Sequence, residues 1–162
     1  IKEVRGVAMK KDFYTVSNVI RLPHKYAAGP TFTRFYNGLE EGKIYGTSCP
    51  SCKKTFVPAR SFCPGCCANL DEWVEVSQEG EVVSWTYTDR EFFGMPGKPP
   101  VVLALIRLDG TDCDFLHLIG GIDMDDPDAV KASIKRGTRV RATWNDEKKG
   151  HMLDIKCFEP VS

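Results

Sequence analysis

Two Cys-x-x-Cys pairs carry the clearest chemistry in this sequence: Cys49-Pro-Ser-Cys52 and, after ten intervening residues, Cys63-Pro-Gly-Cys66. Each pair makes a knuckle that points two thiolates at one ion. Two facing knuckles complete a tetrahedral Cys₄ site with Zn–S distances of ~2.3 Å. Soft sulfur outcompetes water for Zn²⁺, and four protein ligands leave no open position for a substrate. The expected cofactor is one structural Zn²⁺ per chain, held by Cys49, Cys52, Cys63 and Cys66. Cys67 offers a rival register, Cys63-x-x-x-Cys67, but Cys66 keeps the two knuckles alike. Zinc with four thiolates carries a net −2, which Lys53, Lys54 and Arg60, within or beside the knuckles, can offset.

The chain has seven cysteines, an odd number that argues for a reducing compartment and a metal site rather than a disulfide framework. Cys113 and Cys157 fall in strand-like patterns and read as small buried hydrophobes. A cysteine nucleophile needs a partnered base, and His24, His117 and His151 are the three histidines present. Nothing in the spacing pairs one of them with Cys113. The acidic run 123–128 reads as a helix start rather than a calcium loop, which would need alternating ligands and a terminal Glu.

These residues must be positioned by a chain of 162 residues, enough for one ordinary domain or two small ones and too short for a TIM barrel. No apolar run approaches the ~20 residues needed to span a bilayer, and the opening residues lack a signal-peptide core. A soluble cytoplasmic protein is therefore expected. The formal charge is zero, with 22 basic and 22 acidic side chains, but they are unevenly placed. Residues 1–70 hold 11 Lys/Arg against 4 Asp/Glu, so the remainder is equally acidic. A protein built to coat nucleic acid is more often basic throughout.

Residues 1–30 read as an arm with at most one short strand. TFTRFYNGLEEGK reads as a helix capped by Thr31 and stopped by Gly42, with Phe32, Phe35, Tyr36 and Leu39 on one stripe. The cysteine segment holds short strand-like pieces, completing a helix and ribbon over 31–70. Beyond it, EWVEVS alternates, EGEVVSWTYTDR is β-branched and aromatic after a turn at Gly80, and VVLALIRL is a near-continuous apolar run of the kind found in strands buried on both faces. CDFLHLIG follows the Asp109–Gly110 turn. MDDPDAVKASIKRG opens a short helix capped by Asp125 or Asp126, with Pro127 just inside. TRVRATW and HMLDIKCFEP close the chain. Five barrel strands with one helix between the third and fourth is the chain order of an OB-fold, expected over 71–162. The fold class is thus mainly β: an N-terminal helix, a rubredoxin-like zinc ribbon and a five-stranded OB barrel.

TFTRFYNGLEEGKIYGTSCPSC, FVPARSFCPGC, EWVEVSQEGEVVSWT, PPVVLALIRLDG and KRGTRVRATW…CFEP together resemble the acyl-CoA-associated family called domain of unknown function 35. The resemblance spans about residues 31–160. It implies a partner subunit of a thiolase-fold catalytic protein rather than an enzyme that works alone. The small subunit of a benzoylsuccinyl-CoA-type thiolase is one such relative. The partner would carry the catalytic cysteine and histidines for C–C cleavage or condensation of acyl-CoA. This chain would be a required, non-catalytic subunit of that acyltransferase complex, able to hold part of coenzyme A at the subunit interface.

Coenzyme A calls for cations and a flat apolar surface. Lys53, Lys54 and Arg60 on the ribbon offer the cations, as do Arg90 and Lys98 in the loop REFFGMPGK between the first two barrel strands. Phe92 and Phe93 in that loop, with Phe32, Phe35 and Tyr36 on the helix, are the candidate interface anchors. The alternative is a single-stranded nucleic-acid-binding module, in which Trp85 and Tyr87 would stack bases. The acidic sign of the barrel half disfavours it.

Overall fold

The computed structural model describes residues 16–18, 22–92 and 94–161. The expected arm lies largely outside them, as does Phe93, and residues 22–28 lead into the first helix without regular structure. Helix α1 spans Gly29–Glu40 and begins three residues earlier than a cap at Thr31 would allow. Ala28 occupies the cap position without a side-chain bond, and Pro30 sits in the first turn. Proline suits that turn because the N–H it lacks would have no intrahelical partner. Thr31 is therefore inside the helix. Thr33 Oγ1 donates back to the Gly29 carbonyl at 2.7 Å.

Three short strands make the ribbon sheet: β1 (Tyr45–Ser48), β2 (Thr55–Phe56) and β3 (Glu72–Glu75), in the order β2-β1-β3. The placement of β3 differs from the reading by alternation. EWVEVS follows the expected boundary at residue 70, yet its Trp73 pairs with Thr47 in the ribbon. Alternation marks a strand but does not choose its partner.

The barrel contains β4 (Glu79–Thr88), β5 (Val101–Leu108), β6 (Phe115–Ile119), β7 (Arg139–Trp144) and β8 (Ile155–Pro160). It closes in the order β4-β5-β6-β8-β7. Helix α2 (Pro127–Ser133) lies between the third and fourth barrel strands, as the OB order requires. Its cap is Asp126, whose Oδ1 accepts from the Asp128 N–H at 2.9 Å, with Pro127 opening the first turn. The last closure is the parallel pairing of Ile119 with Phe158, reinforced by the Gly120 N–H donating to the Phe158 carbonyl at 2.9 Å. Phe115, His117 and Phe158 pack together inside the wall.

His117 is almost wholly buried, stacked on Phe115 at 5.7 Å, with Nε2 3.1 Å from the Met152 carbonyl. Its Nδ1 has no partner. Burial pushes its pKa below the ordinary imidazole value of 6.5. The folded state thus prefers neutral His117, while the unfolded chain protonates it near the ordinary value. Its contribution to stability is complete above about pH 6.5 and is lost as pH falls toward the depressed folded value. Wild type should lose thermal stability between pH 7.5 and 5.5 while His117→Leu loses much less over that range. Parallel melting curves for the two proteins would contradict this.

The ribbon and barrel are joined at three places. Helix α1 packs between β1 and the 3₁₀ turn Met152–Asp154, burying Phe35 and Leu39 completely. Gln78 donates to the Gly42 carbonyl and accepts from Trp144 Nε1, at 2.9 and 2.8 Å. The third join is the β5–β6 turn, which docks on β2. Thr55 N–H donates to Asp112 Oδ2, and Asp112 N–H donates to the Thr55 carbonyl, both at 2.9 Å. Cys113 Sγ then accepts from Val57 N–H at 3.0 Å and donates to the Val57 carbonyl at 3.1 Å.

Candidate metal centre and partner surface

The two knuckles fold alike. In each, the N–H of the residue after the second cysteine donates to the carbonyl of the first: Lys53 to Cys49 and Cys67 to Cys63, both at 2.9 Å. Those two residues are also the non-glycine positions of positive φ, 61° and 55°. Cys67 is therefore the structural counterpart of Lys53, and its side chain is exposed. Repetition of the turn brings Cys66, not Cys67, into the cluster.

The sulfurs of Cys49, Cys52, Cys63 and Cys66 all lie within 4.8 Å of one another. Cys52 Sγ and Cys63 Sγ are 3.7 Å apart. A tetrahedron with ~2.3 Å Zn–S bonds has edges of about 3.8 Å, so the cluster fits the ion. Electrostatics points the same way. The Cys52 N–H, 3.5 Å from Cys49 Sγ, helps draw the Cys49 thiol down to about 7. Hydrogen bonding to the Cys52 side chain, then burial, pushes Cys66 up to about 12. Four thiolates this close repel one another, and a dication among them removes the penalty.

Around the cluster, Phe56 and Leu70 supply the ribbon's buried apolar side chains, with Cys113 of the β5–β6 turn packed against them. Thr47 Oγ1 donates to the Arg60 carbonyl and accepts from the Arg60 N–H, each at 2.9 Å, which pins the segment between the knuckles to β1. The Arg60 guanidinium lies 5.4 Å from the Phe56 ring centre.

The cations considered for coenzyme A fall into two groups. Lys53, Lys54 and Arg60 are exposed on the ribbon, beside the turn that follows β5. Arg90 and Lys98 belong to the loop that precedes β5. Eight residues of strand separate the two ends, about 23 Å at ~3.3 Å per residue. The two groups thus adjoin opposite ends of β5.

The aromatic candidates also divide. Phe35 is a correction: it is fully buried within the chain and is not free to anchor a partner, because its stripe on α1 faces the ribbon–barrel junction. Tyr36 is half-buried, whereas Phe32 is exposed, as is Phe92 in the β4–β5 loop. Trp85 and Tyr87 pack against the barrel core, and the Tyr87 hydroxyl donates to the Met124 carbonyl at 3.1 Å. Cys113 and His117 are engaged separately, with Val57 and Met152, rather than with each other.

Strand β5 holds the feature that the sequence reading missed. Among the described residues, one of its faces is covered more fully than the other: Val102, Ala104, Ile106 and Leu108 point into the core, while Leu105 is 37% exposed. Cross-strand pairing puts Leu105 opposite Leu116, and Leu103 opposite Leu118, on the outer wall. Leu116 is 58% exposed. The signal was present in VVLALIRL, whose leucines occupy both faces, but a sequence does not say whether the cover comes from the same chain.

Comparison with known families decides the kinship. The ChsH2 rubredoxin-like zinc ribbon domain matches residues 37–69, and the ChsH2 C-terminal OB-fold domain matches residues 73–145. The chain belongs to the ChsH2-type DUF35 family. No curated protein sequence matches it significantly. Among solved structures, a DUF35-family protein of unknown function from Sulfolobus solfataricus is 26% identical, with a TM-score of 0.59 over 82% of this chain and 87% of that one. A chain of the Ltp2–ChsH2(DUF35) aldolase is 21% identical, with a TM-score of 0.63 over 85% of this chain and all (100%) of that one, a likeness of fold. The ChsH2-type ribbon and OB barrel thus account for both sheets. Among the described residues, no helix is long and apolar enough to cross a membrane.

Proposed function

We propose that this chain is the non-catalytic, zinc-stapled subunit of a thiolase-type acyl-CoA complex, docking on a thiolase-fold subunit that cleaves or condenses carbon–carbon bonds. The observation that carries the reading is the ChsH2-type ribbon and barrel in one chain, an architecture present in an aldolase with Ltp2. The chemistry of the thiols agrees. Cys49, Cys52, Cys63 and Cys66 hold structural Zn²⁺, and a closed Cys₄ site offers no position for substrate. Cys113 is tied to the Val57 backbone just after β2, and His117 is buried in the barrel wall.

Phosphate recognition, where coenzyme A meets this subunit, falls to the ribbon cations Lys53, Lys54 and Arg60. The single-strand alternative is disfavoured by the barrel itself. OB-folds that take oligonucleotides use the face of their second and third strands, and here those strands present Leu103, Leu105, Leu116 and Leu118. Phosphates need cations there.

Reconstitution tests the reading. The purified chain should turn over no acyl-CoA by itself, and adding it to a candidate thiolase-fold protein from the same genome should raise coenzyme A-dependent cleavage at least tenfold. Full activity of that protein without this chain would overturn the proposal, as would turnover by this chain alone.

A further inference from the structure

The outer wall of β5 and β6 is an apolar surface inside a polar frame. Leu103, Leu105, Leu116 and Leu118 form two adjacent cross-strand pairs on it. Leu153 of the 3₁₀ turn, 37% exposed, borders the wall. Two shallow hollows of about 140 and 180 Å³ share Leu103 and Leu116. Each is smaller than the ~300 Å³ at which sites for drug-sized ligands begin, so the surface suits another protein better than a free acyl group. Isolated exposed leucines are ordinary, but a contiguous apolar wall marks an interaction site.

Charge narrows the occupant. Ser84 and Thr86 of β4 lie opposite Leu105 and Leu103 and continue the wall with hydroxyls. At its end, Arg107 is neutralised by Asp114, which accepts from Nε and Nη2 at 2.9 and 2.6 Å. An uncharged wall with a self-paired rim complements an uncharged protein surface and offers nothing to phosphates or anionic headgroups. The barrel is closed through β4-β5-β6-β8-β7, so an incoming chain is held by side-chain packing rather than by adding a strand. An apolar centre with a polar rim is the anatomy of a protein–protein contact.

We infer that this wall, centred on Leu105 and Leu116, is the surface against which the uncharged face of the catalytic thiolase-fold subunit packs. The inference rests on the proposed function and assigns its docking face to the barrel instead of helix α1. VVLALIRL then has its explanation: the strand is buried on both faces once the complex forms.

The test is the affinity of full-length variants for a co-expressed thiolase-fold protein from the same genome. Leu105→Glu and Leu116→Glu should each weaken binding by at least 30-fold, the effect of losing an interface hot spot. Phe62→Glu, at an exposed position of the ribbon, should bind within threefold of wild type. Zinc content and circular dichroism equal to wild type would establish that the variants fold. Leu116→Ser serves if glutamate is not tolerated. Unchanged affinity in both wall variants, with wild type binding, overturns the inference and leaves the proposed function standing. Failure of wild type itself to bind overturns both. A homodimer of wild type that Leu116→Glu dissociates, or wall-dependent binding to neutral phosphatidylcholine vesicles, would assign the wall to a different occupant and also overturn it.

Discussion

Cys63→Ser should abolish stoichiometric zinc binding and unfold the ribbon while the barrel keeps its sheet. Ile44, Val57 and Ala59 tie the base of the ribbon to the main core, but its metal end has little else to hold it. Its buried cluster is Cys49, Phe56, Cys63 and Leu70, of which two are ligands. Burial of Phe56 and Leu70 supplies only about 3–6 kcal/mol. Structural zinc contributes about 10–16 kcal/mol to small metal-dependent folds near neutral pH. Metal analysis should fall from about one zinc per chain to near zero, and protease should cut within residues 43–70. Cys67→Ser supplies the contrast, because Cys67 occupies the turn position that Lys53 fills in the first knuckle. It should keep its zinc. Stoichiometric zinc in Cys63→Ser, or its loss in Cys67→Ser, would contradict the ligand assignment.

Phe158→Ala should be the most damaging truncation in the barrel, costing about 4 kcal/mol. Phe158 is fully buried, pairs with Ala142 on one side and Ile119 on the other, and meets Phe115 and His117 edge-on at 6.2 and 5.6 Å. Removing the ring leaves a cavity where the parallel closure is made. For a domain of this size the melting temperature should drop by roughly 15–30 °C. Leu116→Ala provides the comparison on the uncovered wall, where a side chain that is still largely in water should cost about 0.5 kcal/mol or less. Urea unfolding checks both, and similar losses in the two variants would contradict the assignment of faces.

The metal site was legible because its signal is local. Two four-residue turns and their spacing specify a tetrahedral thiolate cluster before any tertiary contact is known. The OB order was readable for a similar reason, since Asp126-Pro127 marks the helix that separates the third and fourth barrel strands. What depends on distant partners was not readable. Glu72–Glu75 has the pattern of a barrel strand, and only the pairing of Trp73 with Thr47 puts it in the ribbon. Phe35 and Phe32 sit on one helical stripe, yet the junction covers the first and leaves the second in water. The Asp112–Thr55 and Cys113–Val57 contacts join residues more than fifty positions apart, and no periodicity announces them. The outer leucines were visible as a pattern but lacked a context until the barrel showed which face was bare.

The uneven charge takes on a narrower meaning in the fold. The ribbon's Lys53, Lys54 and Arg60 stand beside a thiolate cluster, while much of the charge on the barrel is self-paired, as in Arg139 with Asp109 and Arg141 with Glu79.

The central claim is that this chain works as a subunit. Light scattering on the product of co-expression with a candidate thiolase-fold protein from the same genome measures that most directly. The account predicts a single stable species whose mass contains both chains, with one zinc for each copy of this one. Two independently migrating proteins, each at its own mass under conditions that preserve activity, would contradict it.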